Sequence, residues 1–322
     1  MTLRRLLTAS MLIAMLGTSA GAGAQTYPDR GLTFVVPFAV GGSTDVIARQ
    51  FVAEFEKYLG AKVAPENRTG GSGTIGVSAI VRAKPDGYTI GIAPSEVLSY
   101  QPLLHPELAF KSPDDYQPIV KLGDRASILF VRADAPWRNF DDFLAEVRSK
   151  PGRIRASVPG VGTLSDLVVQ QFNRAAGVRM VSIPFSGGGS EAMVALLGGR
   201  VEAFIGSVTG NLGQVQAGKV RVLAVFQKGK HEIFPDATPV VDAGYDVQLK
   251  VAFYVIGPKG LPADVLGKLE TASLRVARSA AFSEFAKAND FVPDVKGIAA
   301  ARDELIALKT TFADLHAHIT AK

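Results

Sequence analysis

The 322-residue sequence contains no cysteine. Disulfides, cysteine-ligated metals and thiol nucleophiles are therefore excluded, and so is the cysteine-linked lipid of a bacterial lipoprotein. Histidine is scarce. His105, His231, His316 and His318 are the only four, and none falls in a glycine-rich loop or at the end of an expected strand. His316 and His318 form an H-x-H pair on a terminal helix, a spacing that more often faces solvent than holds a metal. The patterns H-E-x-x-H, G-x-S-x-G and the P-loop are absent. A catalytic triad assembles in space, so spacing alone leaves it open. Lysine and arginine are spread rather than clustered, which argues against a nucleic-acid partner. Beyond the first residues, no stretch is long and apolar enough to span a membrane.

Residues 1–24 read as an export signal. Arg4 and Arg5 precede a short apolar core at 6–16, and Ala22-Gly23-Ala24 is a small-residue site with cleavage expected after Ala24. Removing this segment takes away two arginines and no acid, leaving 298 residues and lowering the formal net charge from +5 to +3. That length supports two lobes with substantial cores. The mild basicity suits small anions, and a soluble protein in the periplasm is expected.

The chain does contain a recurring strand–glycine turn–helix unit. Residues 32–51, LTFVVPFAVGGSTDVIARQF, open with the apolar run Leu32, Phe34, Val35, Val36 and Phe38, as expected of a strand covered on both faces. Gly41 and Gly42 permit a tight turn, and Ser43 or Thr44 serves as the cap of the helix that follows. Ile47, Phe51, Phe55 and Tyr58 then recur on one helical face. Backbone N–H groups at such a helix start attract an anion, although the same residues also make an ordinary strand-to-helix turn. Residues 156–172, ASVPGVGTLSDLVVQQF, repeat the order with a one-residue gap. Pro37 matches Pro159, Gly42 matches Gly162, Asp45 matches Asp166, and Gln50-Phe51 matches Gln171-Phe172. Two such units far apart predict two similar α/β lobes whose facing loops clamp an acid. Asp45 and Asp166 are expected to complement helix dipoles rather than perform acid–base chemistry. The donors on offer are neutral: Gly41, Gly42, Ser43 and Thr44 on one side, and Gly162, Thr163, Ser186, Gly188 and Ser190 on the other. Such donors hold a carboxylate without a fixed cation and permit rapid release.

The remaining segments fit this plan. Gly71, Gly73 and Gly76 spell G-x-G-x-x-G, but residues 65–69 separate the strand from the first glycine and Asp86 comes too early for the expected acidic partner, so a structural loop is favoured. Ser95-Glu96 follows the strand at 88–93, at the carboxyl end where open α/β sheets bind ligands, or else caps a helix. Apolar segments at 119–122 and 128–132 carry the chain into the second lobe. There, strands at 153–158, 180–185 and 200–205 alternate with helices at 165–176 and 191–197 as a βαβαβ unit ending in Gly206-Ser207. Residues 250–256 return the chain to the first lobe, and helices at 262–279, 280–288 and 296–318 close it.

Tyr27-Pro28, VVPFAVGGSTDVIAR, ENRTGGSGTIG, PDGYTI, IPFSGGGSEAMVALLGGRVEAFIGS and VRVLAV resemble, in content and order, the Bug-type solute-binding proteins of tripartite tricarboxylate transporters. The match runs through most of the mature chain. The resemblance implies a two-lobed periplasmic-binding-protein (Venus flytrap) α/β fold, each lobe a mostly parallel sheet flanked by helices. Residues 25–128 and 250–322 would form the first lobe and 129–249 the second. It also implies a monomer that captures a small dicarboxylate, tricarboxylate or aromatic acid between its lobes and delivers it to a membrane permease, with no cofactor, no metal and no catalysis. The alternative is an exported two-lobed α/β enzyme acting on a small acid in the same cleft. The resemblance places the carboxyl grip at residues 37–45 and 159–165. The candidate ligand-binding residues are Phe38, Gly41, Gly42, Ser43, Thr44, Asp45 and Ser95 from the first lobe, with Gly162, Thr163, Ser165, Asp166, Phe185, Ser186, Gly188 and Ser207 from the second. Many members of that family carry histidine-leucine where this chain has Asp166-Leu167, so Asp166 is expected to repel a second carboxylate or to favour an amino group or a less charged distal end.

Overall fold

The computed structural model describes residues 27–321. The expected export signal lies outside the described residues. The first lobe begins β1 (Leu32–Val36), α1 (Ser43–Leu59), β2 (Val63–Asn67), α2 (Thr74–Val81), β3 (Thr89–Pro94). Two short helices, α3 (Ser95–Ser99) and α4 (Gln101–Leu104), precede the long β4 (Tyr116–Ala126). β5 (Ile128–Arg132) already belongs to the other sheet, one residue ahead of the division read from the sequence, because Ile128 pairs with Gly206 and Val225. The second lobe continues α5 (Phe140–Ser149), β6 (Arg155–Val158), α6 (Leu164–Ala176), β7 (Val181–Pro184), α7 (Gly189–Leu197), β8 (Ala203–Gly206), α8 (Leu212–Gln216), β9 (Val220–Val225), β10 (Thr238–Pro239). β11 (Lys250–Pro258) returns to the first sheet, and α9 (Ala263–Ala277), α10 (Ala280–Ala288), β12 (Val292–Gly297) and α11 (Ile298–Thr320) complete it.

Both sheets follow one plan. β2-β1-β3 are parallel in the first sheet, as β7-β6-β8 are in the second. Beside each parallel group runs one antiparallel strand, β11 next to β3 and β5 next to β8. β4 and β9 pair antiparallel with these and so run with the parallel group again. The antiparallel strand in each lobe is the one arriving from the other lobe. The two crossings therefore sit in the middle of the sheets, beneath the cleft.

Period-2 alternation explains why helices cover both faces of each sheet. In the first, Phe34 and Val36 pack with Ile47, Phe51 and Phe55 of α1 and with Leu269 and Val276 of α9. Val35 points the other way, among Val77 and Ile80 of α2 and Ala301 and Leu305 of α11. Tyr58, expected on the buried face of α1, is 40% exposed in its last turn. In the second sheet, Leu129 and Val131 meet Phe143 of α5 and Phe172 of α6, whereas Ile128 and Phe130 meet Met193 and Leu196 of α7. The sequence reading places only helices after residue 262 and misses β12. That strand is a half-exposed edge whose Val292-Pro293-Asp294 shows no apolar alternation.

A buried ammonium ties β12 and α11 to the first sheet. Lys121 Nζ lies 2.6 Å from Asp294, 2.6 Å from Glu304 and 3.0 Å from Asp124, with its side chain only 2% exposed. Burial pulls its pKa down, but the three carboxylates outweigh that and raise it. Replacing Lys121 with methionine leaves three clustered carboxylates with Lys296 alone, whose Nζ lies 2.9 Å from Asp294 and 2.7 Å from Glu304. We expect a loss of about 3–5 kcal/mol in denaturant unfolding. An unchanged midpoint would show that the cluster does not hold the edge strand.

Candidate functional site

The two glycine loops are built by the same device. After β1, the chain turns through Gly41 (φ +78°), and the Gly41 N–H donates to Asp45 Oδ2 at 2.9 Å. After β6 it turns through Gly162 (φ +66°), and the Gly162 N–H donates to Asp166 Oδ2 at 2.8 Å. A third loop repeats it, with the Gly187 N–H donating to Glu191 Oε2 at 2.8 Å. An acid in the first turn reaches back four residues and holds the loop, so the helix starts need no hydroxyl cap. The capping residues of α1, α6 and α7 are Gly42, Thr163 and Gly188, none with a side-chain cap. This corrects the expectation of a Ser43 or Thr44 cap. It also shifts the internal match, because Gly162 corresponds to Gly41, and Thr163 to Gly42. With that pairing a single one-residue gap suffices, between the proline and the glycine, whereas matching Gly42 to Gly162 makes the spacing differ on both sides of the glycine.

Both aspartates are fully engaged in these loops. Asp45 also accepts from Arg49 Nε at 2.9 Å and from Asn67 Nδ2 at 2.8 Å, and Asn67 donates to the Phe38 carbonyl. Burial raises the Asp45 pKa, but these donors together hold it below the usual carboxylate range. Asp166 accepts from Ser182 Oγ at 2.6 Å and from Gln170 Nε2 at 3.1 Å. Neither carboxylate lines the cavity between the lobes, so the expected repulsion of a ligand by Asp166 has no geometric basis.

That cavity is narrow in this structure: about 20 Å³ is open to the centre of a water molecule, within about 380 Å³ of non-atom space that includes the mouth. The first lobe lines it with Phe38, Gly42, Ser43, Thr44, Glu96 and Arg125. The second contributes Pro159, Thr163, Leu164, Ser165 and Gly189. The starts of α1, α6 and α7 thus converge on one space, each presenting the positive end of its dipole. Of the expected ligand-binding residues, Phe38, Gly42, Ser43, Thr44, Thr163 and Ser165 are brought together there. Gly41 and Gly162 stand behind the loops, bonded to the aspartates. Ser95 Oγ accepts from the Ala252 N–H at 3.1 Å and so joins α3 to β11. Gly188 packs on the Phe38 ring, Phe185 packs on the core beside α7, Ser186 is exposed, and Ser207 is buried beneath the cleft.

Two ionisable groups line the cavity: Arg125, which the sequence reading misses, and Glu96, for which it leaves ligand binding and helix capping both open. Arg125 is 7% exposed, and its Nε and Nη1 have no hydrogen-bond partner among the described residues. Its guanidinium lies over the Phe253 ring, 5.5 Å from the centroid. Burial lowers its pKa to about 10, against the pull of Glu96 and Asp290, so it remains a cation at neutral pH. Glu96 is 4% exposed, and its Oε2 is likewise unpartnered among the described residues. Burial raises its pKa to about 6, opposed by backbone N–H groups including that of Leu164 and by the Arg125 charge. The expectation of a grip made only of neutral donors is therefore corrected. One sequence signal pointed this way: Lys121, Asp124 and Arg125 interrupt an apolar run at the lobe crossing, where a charge needs a reason to be buried.

The lobes touch all around this space. The Ala39 N–H donates to the Gly187 carbonyl at 3.3 Å and Gln101 Nε2 to the Val161 carbonyl at 2.7 Å. His231 Nε2 lies 2.8 Å from Asp290 Oδ1, and Arg174 Nη1 donates to the His318 carbonyl at 2.7 Å. His316 Nδ1 lies 3.1 Å from the Tyr100 hydroxyl. No histidine is among the residues lining the cavity. Asp124, Asp294 and Glu304, the metal-like acidic trio among the described residues, enclose the Lys121 ammonium instead. The G-x-G-x-x-G glycines serve packing, since a Cβ on Gly76 would lie 2.6 Å from Pro37 Cα.

Residues 47–307 match the family model described as the tripartite tricarboxylate transporter family receptor, TctC. The protein BugT of Bordetella pertussis is 32% identical over 263 residues, covering 81% of this chain and 80% of BugT. A UPF0065 protein of Agrobacterium vitis is 30% identical over 249 residues, covering 77% of this chain and 71% of that protein. Among solved structures, the periplasmic binding protein BugD matches with a TM-score of 0.85 at 28% identity, covering 91% of this chain and 98% of BugD. MatC of Rhodopseudomonas palustris, solved with bound malate, matches with a TM-score of 0.78 at 25% identity, covering 91% and 98%.

The raised pKa of Glu96 has a measurable sign. Its protonated form favours the folded state, a contribution present below the unfolded value of roughly 4.3 and lost as pH rises through about 6. Glu96→Gln keeps the shape and removes the ionisation. Its melting temperature relative to the parent should therefore increase between pH 5 and pH 8. A difference that stays constant over that range would contradict a buried, destabilising carboxylate.

Proposed function

The chain belongs to the tripartite tricarboxylate transporter receptor family, and from that premise we propose that it binds a small carboxylate in the periplasm, between its two lobes, and presents it to a membrane permease. The family is one of solute-binding receptors rather than enzymes, and the fold is that of the two-lobed periplasmic binding proteins. The observation that carries the proposal is the unpaired, buried Arg125 guanidinium in a cavity faced by three helix starts. Such a site demands an anion, and a carboxylate matches both the fork of a guanidinium and paired N–H and hydroxyl donors. MatC, with its bound malate, is a similar chain solved with such an acid.

The geometry suggests how capture and release proceed. Each lobe alone offers part of the donors, Ser43 and Thr44 from one and Ser165 from the other, since the Thr163 hydroxyl already donates to the Gly160 carbonyl at 2.8 Å. An acid bound to one open lobe gains the second set only on closure, so the ligand stabilises the closed form by its differential affinity. Closure also forms the rim contacts at Ala39–Gly187 and Gln101–Val161, giving a permease a surface that depends on occupancy. The reading requires stoichiometric, reversible binding by a monomer, without product.

A thermal-shift screen against mono-, di- and tricarboxylates, aliphatic and aromatic, tests this. At a hundredfold excess over Kd, a ligand specific to the folded state adds about 2.7 kcal/mol of stability. Gly42→Leu places a side chain into the cavity from a Cβ only 3.3 Å from the Ala39 carbonyl, and Arg125→Gln removes the cation. Each should abolish the shift or reduce affinity at least tenfold. A shift retained in both variants, or none with any acid, would refute carboxylate capture in this cleft.

A further inference from the structure

Two buried charged side chains in the cleft are left incomplete by the rest of the fold. Glu96 Oε2 and Arg125 Nε and Nη1 have no partners among the described residues, and both side chains line the same cavity. They influence each other through space without bonding at these atoms. Asp290, the other acid acting on Arg125, sits against His231. With Glu96 ionised, as it is above its pKa of about 6, what completes the pair must offer an acceptor to Arg125 and a donor to Glu96. An unsubstituted carboxylate offers acceptors alone. It satisfies the guanidinium and sets oxygen against oxygen at Glu96.

We propose that Glu96 and Arg125 form a two-signed subsite that selects carboxylic acids carrying an amino or hydroxyl donor beside the acid group over unsubstituted acids of the same skeleton. This rests on the carboxylate-capture reading above and refines the class of ligand. An ammonium is the stronger donor, because it makes a charge-assisted bond and neutralises the buried carboxylate. Charge balance agrees. Arg125 and Glu96 cancel, and three helix starts of roughly half a charge each suit a ligand with a small net negative charge.

The test is calorimetric titration of the protein with matched triads at pH 7.5: alanine, lactate and propionate; aspartate, malate and succinate; glutamate, 2-hydroxyglutarate and glutarate. In whichever skeleton binds, the amino or hydroxy member should bind at least tenfold tighter than the unsubstituted acid. The amino and hydroxy arms distinguish the two donors. In Glu96→Gln, checked for a folded melting transition, that ratio should fall at least fivefold for the amino acid, while the unsubstituted acid binds as well or better. The parent ratio stands without any variant. Equal affinities across a triad, or a ratio unchanged in folded Glu96→Gln, would overturn the subsite while leaving carboxylate capture intact. Failure of all nine acids, together with no thermal shift from any tricarboxylate or aromatic acid, would overturn capture itself, and the subsite with it.

Discussion

Everything at the cleft depends on acids that reach back four residues to a glycine N–H. Asp45 holds Gly41, Asp166 holds Gly162, and Glu191 holds Gly187. Each bond engages a donor at the rear of its loop rather than the N–H groups of the first helical turn, of which that of Leu164 bears on Glu96 across the cleft. A side-chain cap would have occupied those groups. The same aspartates are anchored by Arg49 and Asn67 in one lobe and by Ser182 and Gln170 in the other. Three helix starts can therefore face one space without their donors being consumed locally.

The floor of that space comes from the way the chain passes between lobes. Each sheet receives its central antiparallel strand from the other lobe, so β4 and β11 lie side by side where the chain crosses. Arg125 stands on β4 opposite Val251 of β11, three residues before the second sheet begins. A cation held at a crossing feels both lobes. Glu96 enters from the carboxyl end of β3, and the Leu164 N–H of the opposite lobe bears on it. Two buried, incompletely bonded charges destabilise the empty protein, a cost that a bound ligand relieves.

Much of this was legible in the sequence, for identifiable reasons. The repeat of proline, glycine, aspartate and Gln-Phe carries strong local geometry, so the paired loops and the two-lobed plan followed from it. The near-continuous apolar runs of β1 and β5 and the helical face of Ile47, Phe51 and Phe55 were equally readable. The function of Asp45 and Asp166 was only half readable. Their place in the first turn was evident, whereas their bond to a glycine four residues back is not visible in a sequence, and Gly162 was matched to Gly42 instead of Gly41 as a result. Arg125 escaped because nothing in a strand-like run says which way one charged side chain points. β12 escaped because an edge strand covered by an ion cluster needs no apolar alternation.

The central claim is that the converging helix starts and Arg125 together grip one acid. The most direct measurement is a crystal structure grown with the acid that gives the largest thermal shift. The account predicts one carboxyl group within hydrogen-bond distance of Ser43 or Thr44 on one side and Thr163 or Ser165 on the other, with Arg125 bonded to the same molecule. An acid bound elsewhere, or one bound in the cleft with Arg125 still unpartnered, would contradict it.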